Sequence, residues 1–234
     1  HRHPRWTGEI TRLRIGFGNE QPGAVVNLQG FFAQYDTRHN INNFVYPIGC
    51  ATYFAWTGDL NFLRENIQRM RMALRYAMSE FRTLEEKVVH TSWVGHDGRT
   101  GVERNPDGSA NPVTGQGIGN NYWDLLPFGH KDTYATIRLY HALNVMADLE
   151  RLIREHPEWN MPGGFLALDP EALLHHAAEV KEAGNRLFWN DETGRYVICI
   201  DSQGHRPDYG LTFLNLEAIH YGFAPPERAA AILS

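Results

Sequence analysis

Nowhere does this sequence hold the roughly 20 consecutive apolar residues of a membrane-spanning helix, so a transmembrane reading falls away. The opening segment, HRHPRWTGEI, lacks the apolar centre of a signal peptide, which leaves secretion of a processed chain open and the compartment undetermined. Basic blocks are missing too. With 22 Lys and Arg against 27 Asp and Glu, the net charge is −5, so no nucleic-acid partner is expected and a neutral ligand fits better. Cysteine is scarce: Cys50 and Cys199 cannot build a disulfide framework or zinc cluster, and their settings, PIGCATYF and YVICID, predict buried thiols. Nucleotide and hydrolase signatures are absent as well. GFGNEQ and GQGIGNN lack a third glycine in place and follow no clear strand, and there is no P-loop, G-x-S-x-G or H-E-x-x-H. His175, His176 and Glu179 share a predicted helix, but neighbouring histidines point to different faces, so ordinary surface histidines are expected there and no metal site.

What is present is an ordinary globular composition, 42% hydrophobic, with a high aromatic share of 12%. The aromatics cluster in glycine-rich and polar connections as well as in helices, which predicts an aromatic-lined surface. Over residues 61–84, Leu63, Ile67, Met70, Leu74, Ala77, Phe81 and Leu84 recur at steps of four and three, the mark of a helix with one buried stripe. Its outer face carries Arg64, Arg69, Arg71 and Arg75, expected to be solvated. A second helix is predicted over about 133–155, capped by Asp132 and stopped before Pro157, and a third over about 170–188, opened by Asp169 and Pro170. Further helices are plausible over 45–56 and 211–221 and from PPERAAAIL, and a short β-rich run follows a turn over 191–194.

The connections over 35–45 and 88–132 are too long for a simple bundle. An all-α toroid of helical hairpins suits them better. A closed ring of a dozen helices needs on the order of 350 residues, so an incomplete ring is expected: a lead-in over 1–29, then a helical-hairpin domain over 30–234 truncated at its C-terminus. Such a ring leaves apolar faces uncovered, which predicts self-association or a partner chain that completes it.

The unusual residues lie in those connections. GIGNNYWDLLPFGHKD, residues 117–132, combines three glycines, two asparagines and a Tyr-Trp pair with two aspartates. Carboxylates in aromatic, polar loops suit sugar chemistry: rings stack on aromatic faces, hydroxyls meet amides and carboxylates, and cleavage needs a protonated carboxyl plus a second carboxylate. Candidates are Asp36, Asp97, Glu103, Asp124, Asp132 and Asp208. Asp132, Asp59 and Asp169 are expected as helix caps, Asp97 and Asp107 as turn residues beside glycines, and Glu217 as a structural helix residue. Asp36 serves equally as a partner of Arg38 or as a sugar ligand. Asp124 fits a duller role least, because an aspartate between Trp123 and two leucines suits neither turn nor helix. Contact with Tyr122 and Trp123 would raise its pKa as a general acid requires, and Lys131 would push the other way.

WTGDLNFLRENIQRMRMALRYA, AAEVKEAGNRLFWNDETGRYV and GLTFLNLEAIHYGFAPPERAAAIL resemble the recurring segments of the six-hairpin, α/α-toroid glycoside hydrolases. That group includes trehalases, the processing α-glucosidase I family, glycogen-debranching glucosidases and α-rhamnosidases, the first branches being nearest in feel. NNYWDLLPFG resembles the loop that carries the general acid of the trehalase and glucosidase I branch, which implies that role for Asp124. GFFAQYDTR resembles an early loop at the sugar site, implying binding roles for Tyr35 and Asp36, with Arg38, Tyr122, Trp123 and Lys131 as neighbours. The resemblance implies an inverting exo-glycosidase acting on an oligosaccharide or glycoside of α-glucoside type. It also implies no cofactor, no metal, a water nucleophile, and a glutamate base on a later hairpin that this chain is expected to lack. Two other readings stand beside it: a sugar epimerase using histidines such as His39, His130 or His220, and a non-catalytic carbohydrate-binding fragment.

Overall fold

Three aspartates start three helices. In a computed structural model that describes residues 40–91, 130–201 and 204–234, Asp59 accepts the N–H groups of Asn61 and Phe62, both at 3.0 Å. Asp132 accepts that of Ala135 at 3.0 Å and Asp169 that of Ala172 at 2.9 Å. Each carboxylate satisfies N–H groups that the first helical turn leaves without internal partners. The capped helices are α2 (Leu60–Glu80), α4 (Thr133–Glu155) and α5 (Pro170–Phe188), joined by α1 (Asn42–Thr57), the short α3 (Thr83–Glu86), α6 (Thr212–His220) and α7 (Pro226–Leu233). The fold is all-α with a few short strands. Among the described residues no helix is long and apolar enough to cross a membrane.

The helices follow one another as hairpins. Gly58 ends α1 at φ 64°, its N–H returning to the Phe54 carbonyl at 2.8 Å, a left-handed cap that glycine adopts without a Cβ clash. The chain therefore reverses at once. Tyr53 lies 4.4 Å from Phe62 and Tyr46 donates to Asn66 at 2.9 Å, so α1 and α2 run antiparallel. In the second hairpin Arg154 meets Asp169 at 3.2 Å and Lys181 lies 5.9 Å from the Tyr140 ring, so α4 and α5 also run antiparallel.

The first helices of the hairpins lie parallel. Asn40, just before α1, bonds Asp132, just before α4, while Phe54 and Trp159 touch at the opposite ends at 5.6 Å. Along α4 and α6, Tyr134 meets Phe213, Arg138 meets Glu217 and His141 stacks on Tyr221, again in the same direction. Hence α1, α4 and α6 all begin at one end. One core gathers Phe44, Ile67, Leu74, Leu143, Met146 and Val180, and a second gathers Ile137, Phe188, Tyr196, Ile198, Leu214 and Phe223. Helix α4 supplies side chains to both and is the centre of the array. Cys50 and Cys199 are buried free thiols, as their settings predict.

Three expectations change. The helix predicted over 61–84 stops at Glu80, because Phe81 turns inward and Arg82 takes a left-handed φ of 53°; Leu84 falls on α3 and is exposed. The arginine face of α2 is only partly solvated: Arg69 and Arg75 are exposed as expected, Arg64 is half-buried and Arg71 is buried. Arg64, Gln68, Arg71 and Arg75 form one stripe that donates to the carbonyls of Trp159, Gly163, Pro162, Leu166 and Ala167, holding the α4–α5 connection in place. Arg71 is 1% exposed and pairs in two-pronged fashion with Glu150, at 2.5 and 2.7 Å. His176 is buried rather than on the surface, with Nε2 3.1 Å from the Thr83 hydroxyl, whereas His175 is exposed as expected.

Candidate functional site

A small antiparallel sheet covers the start of α4. Its strands are β1 (Val89–Thr91), β2 (His130–Asp132) and a third, Cys199–Ile200, which follows the β3 (Trp189–Asn190) and β4 (Arg195–Tyr196) hairpin and is therefore β5. The register pairs Val89 with Asp132, His90 with Lys131 and Thr91 with His130, and on the other side Asp132 with Cys199. Side chains lock the sheet to the helix: Thr136 donates to the Asp132 carbonyl at 2.6 Å and accepts the Val89 N–H at 3.0 Å. Asn40 donates to the second Asp132 oxygen at 3.1 Å. Thus Asn40, Thr91 and His130, which border residues 1–39 and 92–129, gather at the end where α1, α4 and α6 begin.

Of the residues singled out from sequence, Asp124, Tyr35, Asp36, Arg38, Tyr122 and Trp123 lie outside the described residues, as do Asp97, Glu103 and His39. Lys131 lies within them, on β2, and its ammonium pairs with Glu86 at 3.1 Å. Arg82 reaches the other Glu86 oxygen at 3.3 Å. The bond from Lys131 and the surrounding positive charges hold Glu86 below the usual carboxylate range against the opposing effect of burial. His90 and His130 meet edge to face at 4.3 Å. Burial, and then the neighbouring His130, push His90 down to about 4; burial, then Lys131, lower His130. Both imidazoles are therefore neutral at pH 7. Arg82 also pairs with Glu85 at 3.1 Å, so two cations face two carboxylates and this surface offers hydrogen bonding with little net charge, which suits an uncharged polyhydroxyl ligand better than an ionic one. His130 has φ 54°, a left-handed conformation that costs a non-glycine residue about 1–2 kcal/mol and that strand pairing on both sides of β2 maintains.

Other candidates are committed to structure. Asp208 accepts from Asn190, Thr193, Arg195 and the Gly210 N–H, which pins the β3–β4 turn and leaves little capacity for substrate. Glu217 pairs with Arg138, which also donates to the Tyr221 and Tyr134 hydroxyls, so the cluster ties α6 to α4 as expected for a structural residue. Burial raises the Glu217 pKa and Arg138 opposes the rise. Among the described residues no group of three or more His, Cys, Asp or Glu side chains is arranged to hold a metal ion.

The buried histidines set an acid limit. His90 and His141 are both pushed to about 4, and His130 and His176 are also lowered from an ordinary value of 6.5. Above about pH 7.5, a unit over the ordinary histidine value, these groups are neutral in folded and unfolded chains and cost almost nothing. As pH falls towards 4 the unfolded chain takes up protons that the folded one refuses, so stability declines. Glu217, with its raised pKa, works in the opposite sense at the low end of that window. Thermal melts at pH 8.5, 7.5 and 5.5 are expected to coincide at the first two values and fall at the third, and His141→Phe is expected to reduce the fall.

Sequence reasoning missed His90, Glu86 and Asn40. No spacing links residue 90 to residue 130, and Asn40 lies in a plain polar stretch, RHNINN. Only strand register and helix packing bring them to one place.

No family model matches the chain. Among curated proteins it is 28% identical over 200 residues to the solabiose phosphorylase of Paenibacillus borealis, a match that covers 77% of this chain and 21% of that protein. Among solved structures it is similar to a GH78 family rhamnosidase of Bacillus sp. GL1, with a TM-score of 0.56 and 19% identity, over 81% of this chain and 16% of that one. The chain thus spans less than a quarter of the length of the proteins it matches. The rhamnosidase likeness shows the fold. Together the matches are to carbohydrate-active enzymes of glycoside hydrolase and phosphorylase type, and neither favours the trehalase branch.

Proposed function

We propose that this chain carries the general acid of an active site that cleaves a terminal sugar, of α-glucoside type, from an oligosaccharide or glycoside with inversion. Asp124 gives its proton to the glycosidic oxygen, so the leaving alcohol departs neutral, while water attacks the anomeric carbon from the opposite face and loses a proton to a base. Asp36, Arg38, Tyr35, Tyr122 and Trp123 bind the sugar ring. The observation that supports this reading most is the gathering of Asn40, Thr91 and His130, which border the segments that hold these residues in the sequence, at one end of the parallel helices. The low net charge of the Glu85, Glu86, Lys131, Arg82 and histidine surface supports an uncharged ligand there.

A second reading has its own support in the similarity to a solabiose phosphorylase. In phosphorolysis, inorganic phosphate replaces water as the nucleophile, the C–O bond to the leaving alcohol breaks, and the product is a sugar phosphate. Asp124 keeps its role, and no base is needed, because phosphate attacks as an anion. Product analysis separates the alternatives. The purified protein is incubated with disaccharides and aryl glycosides, with and without inorganic phosphate. Free sugar formed without phosphate supports hydrolysis, and sugar phosphate formed only with phosphate supports phosphorolysis. Oligosaccharide that is bound and left intact, or free sugars interconverted, would remove both.

A further inference from the structure

His90 is a buried donor without an acceptor. The residue is 7% exposed, its Nδ1 lies 3.4 Å from Nη1 of Arg82, and its Nε2 has no hydrogen-bond partner among the described residues. Arginine only donates, and Glu86 is beyond hydrogen-bond reach of Nδ1 at 3.7 Å, so Nδ1 accepts and the neutral ring carries its proton on Nε2. A buried N–H left unpaired costs free energy, and folded proteins keep few such groups.

His130 packs on that ring edge to face, with centroids 4.3 Å apart, and is the more exposed of the two. Strand alternation does not place it there. His90 pairs with Lys131 and Thr91 with His130, so His90 and His130 belong to positions that point to opposite sides of a regular sheet. The left-handed φ of 54° at His130 breaks that alternation and brings the two rings together. Strained backbone that its surroundings maintain is characteristic of ligand clamps and switch regions. Here the strain holds one neutral ring against the unpaired donor of another.

We propose that His90 Nε2–H is a hydroxyl-binding donor of the sugar site, covered by the His130 ring until a sugar oxygen displaces it. This rests on the carbohydrate reading given above, and every group it uses lies on β1, on β2 or just before α3. A hydroxyl oxygen is the acceptor that His90 lacks. The balance of Arg82 and Lys131 against Glu85 and Glu86 favours an uncharged ligand over a carboxylate or a phosphate.

Calorimetric titration with glucose and maltose at pH 7.5, run beside thermal melts of the free protein, tests the assignment. His90→Phe keeps a ring and removes the unpaired N–H. Its melting temperature should rise by about 2–4 °C, while its sugar affinity falls by about 3–10-fold. His90→Gln keeps a donor at similar reach and should bind nearly as the wild type does. Glycine adopts φ 54° without a Cβ clash, so His130→Gly removes the cover and the strain together. That variant should melt no lower than the wild type and bind sugar more tightly, and the gain should disappear when it is combined with His90→Phe. Such a dependence of one substitution on the other is not expected of two side chains that only pack. A His90→Phe variant that melts lower and binds sugar as the wild type does would overturn the donor role, and a His130→Gly gain that persists without His90 would overturn the cover. A wild type that binds neither sugar would overturn the carbohydrate reading and this subsite with it.

Discussion

Asp124→Asn is expected to release sugar about 10²–10⁴-fold more slowly than the wild type, the usual worth of a general acid. An amide has the size and much of the hydrogen-bonding capacity of the carboxyl but no proton to give. The loss should fall on kcat with KM little changed, because the proton moves only in the transition state. It should also be smaller on a dinitrophenyl glycoside, whose leaving group needs no proton. The pH profile gives an independent check: wild-type activity should fall at high pH as the acid ionises, and that limb should vanish in the variant. Turnover of Asp124→Asn within a few-fold of the wild type on an alkyl glycoside would sink the assignment. The same result holds for water and for phosphate as the nucleophile, since the leaving oxygen is the same in both.

Arg71→Met is expected to destabilise the fold by about 3–5 kcal/mol, the usual cost of leaving one member of a buried ion pair alone. Glu150 would then sit at 4% exposure with its two-pronged partner gone, and the Pro162 carbonyl would lose its donor. At about 2–4 °C per kcal/mol for a chain of this size, the melting temperature should drop by roughly 6–20 °C. Arg71→Met with Glu150→Met should recover most of that loss, because two well-packed apolar side chains need neither charge nor desolvation. Activity per folded molecule should be unchanged. Glu150 is eighteen residues along α4 from Asp132, about 27 Å at the helical rise. A single variant that melts with the wild type would mean that the pair contributes no net stability.

The two effects differ in how far they could be read from the chain. Asp124 stands out locally, as an aspartate that suits neither turn nor helix between Trp123 and two leucines. Arg71 gave the opposite impression. Its charge and its place beside Arg64, Arg69 and Arg75 on a predicted helix marked it as solvated, and nothing within reach along the sequence indicates Glu150, 79 residues away. His90 and His130 are a similar case, since their contact depends on the register of β1 against β2.

By itself the sequence determined the features satisfied within a turn or two of chain. The Asp59, Asp132 and Asp169 caps, the apolar stripe from Leu63 to Ala77, the reversal at Gly58 and the apolar settings of Cys50 and Cys199 all follow from groups at most a few residues apart. Tertiary structure alone decided which of these elements share an end, which charges are buried and which loops meet. Asn40 reaches Asp132, Arg71 reaches Glu150 and Arg138 reaches Glu217 only after the hairpins have packed with α1, α4 and α6 in parallel. Helical periodicity sets which face of a helix turns inward, but it carries no information about the face it will meet. That partner follows from loop closure and from the summed burial of two cores, and it is there that a polar side chain becomes a cap, an ion pair or part of a site.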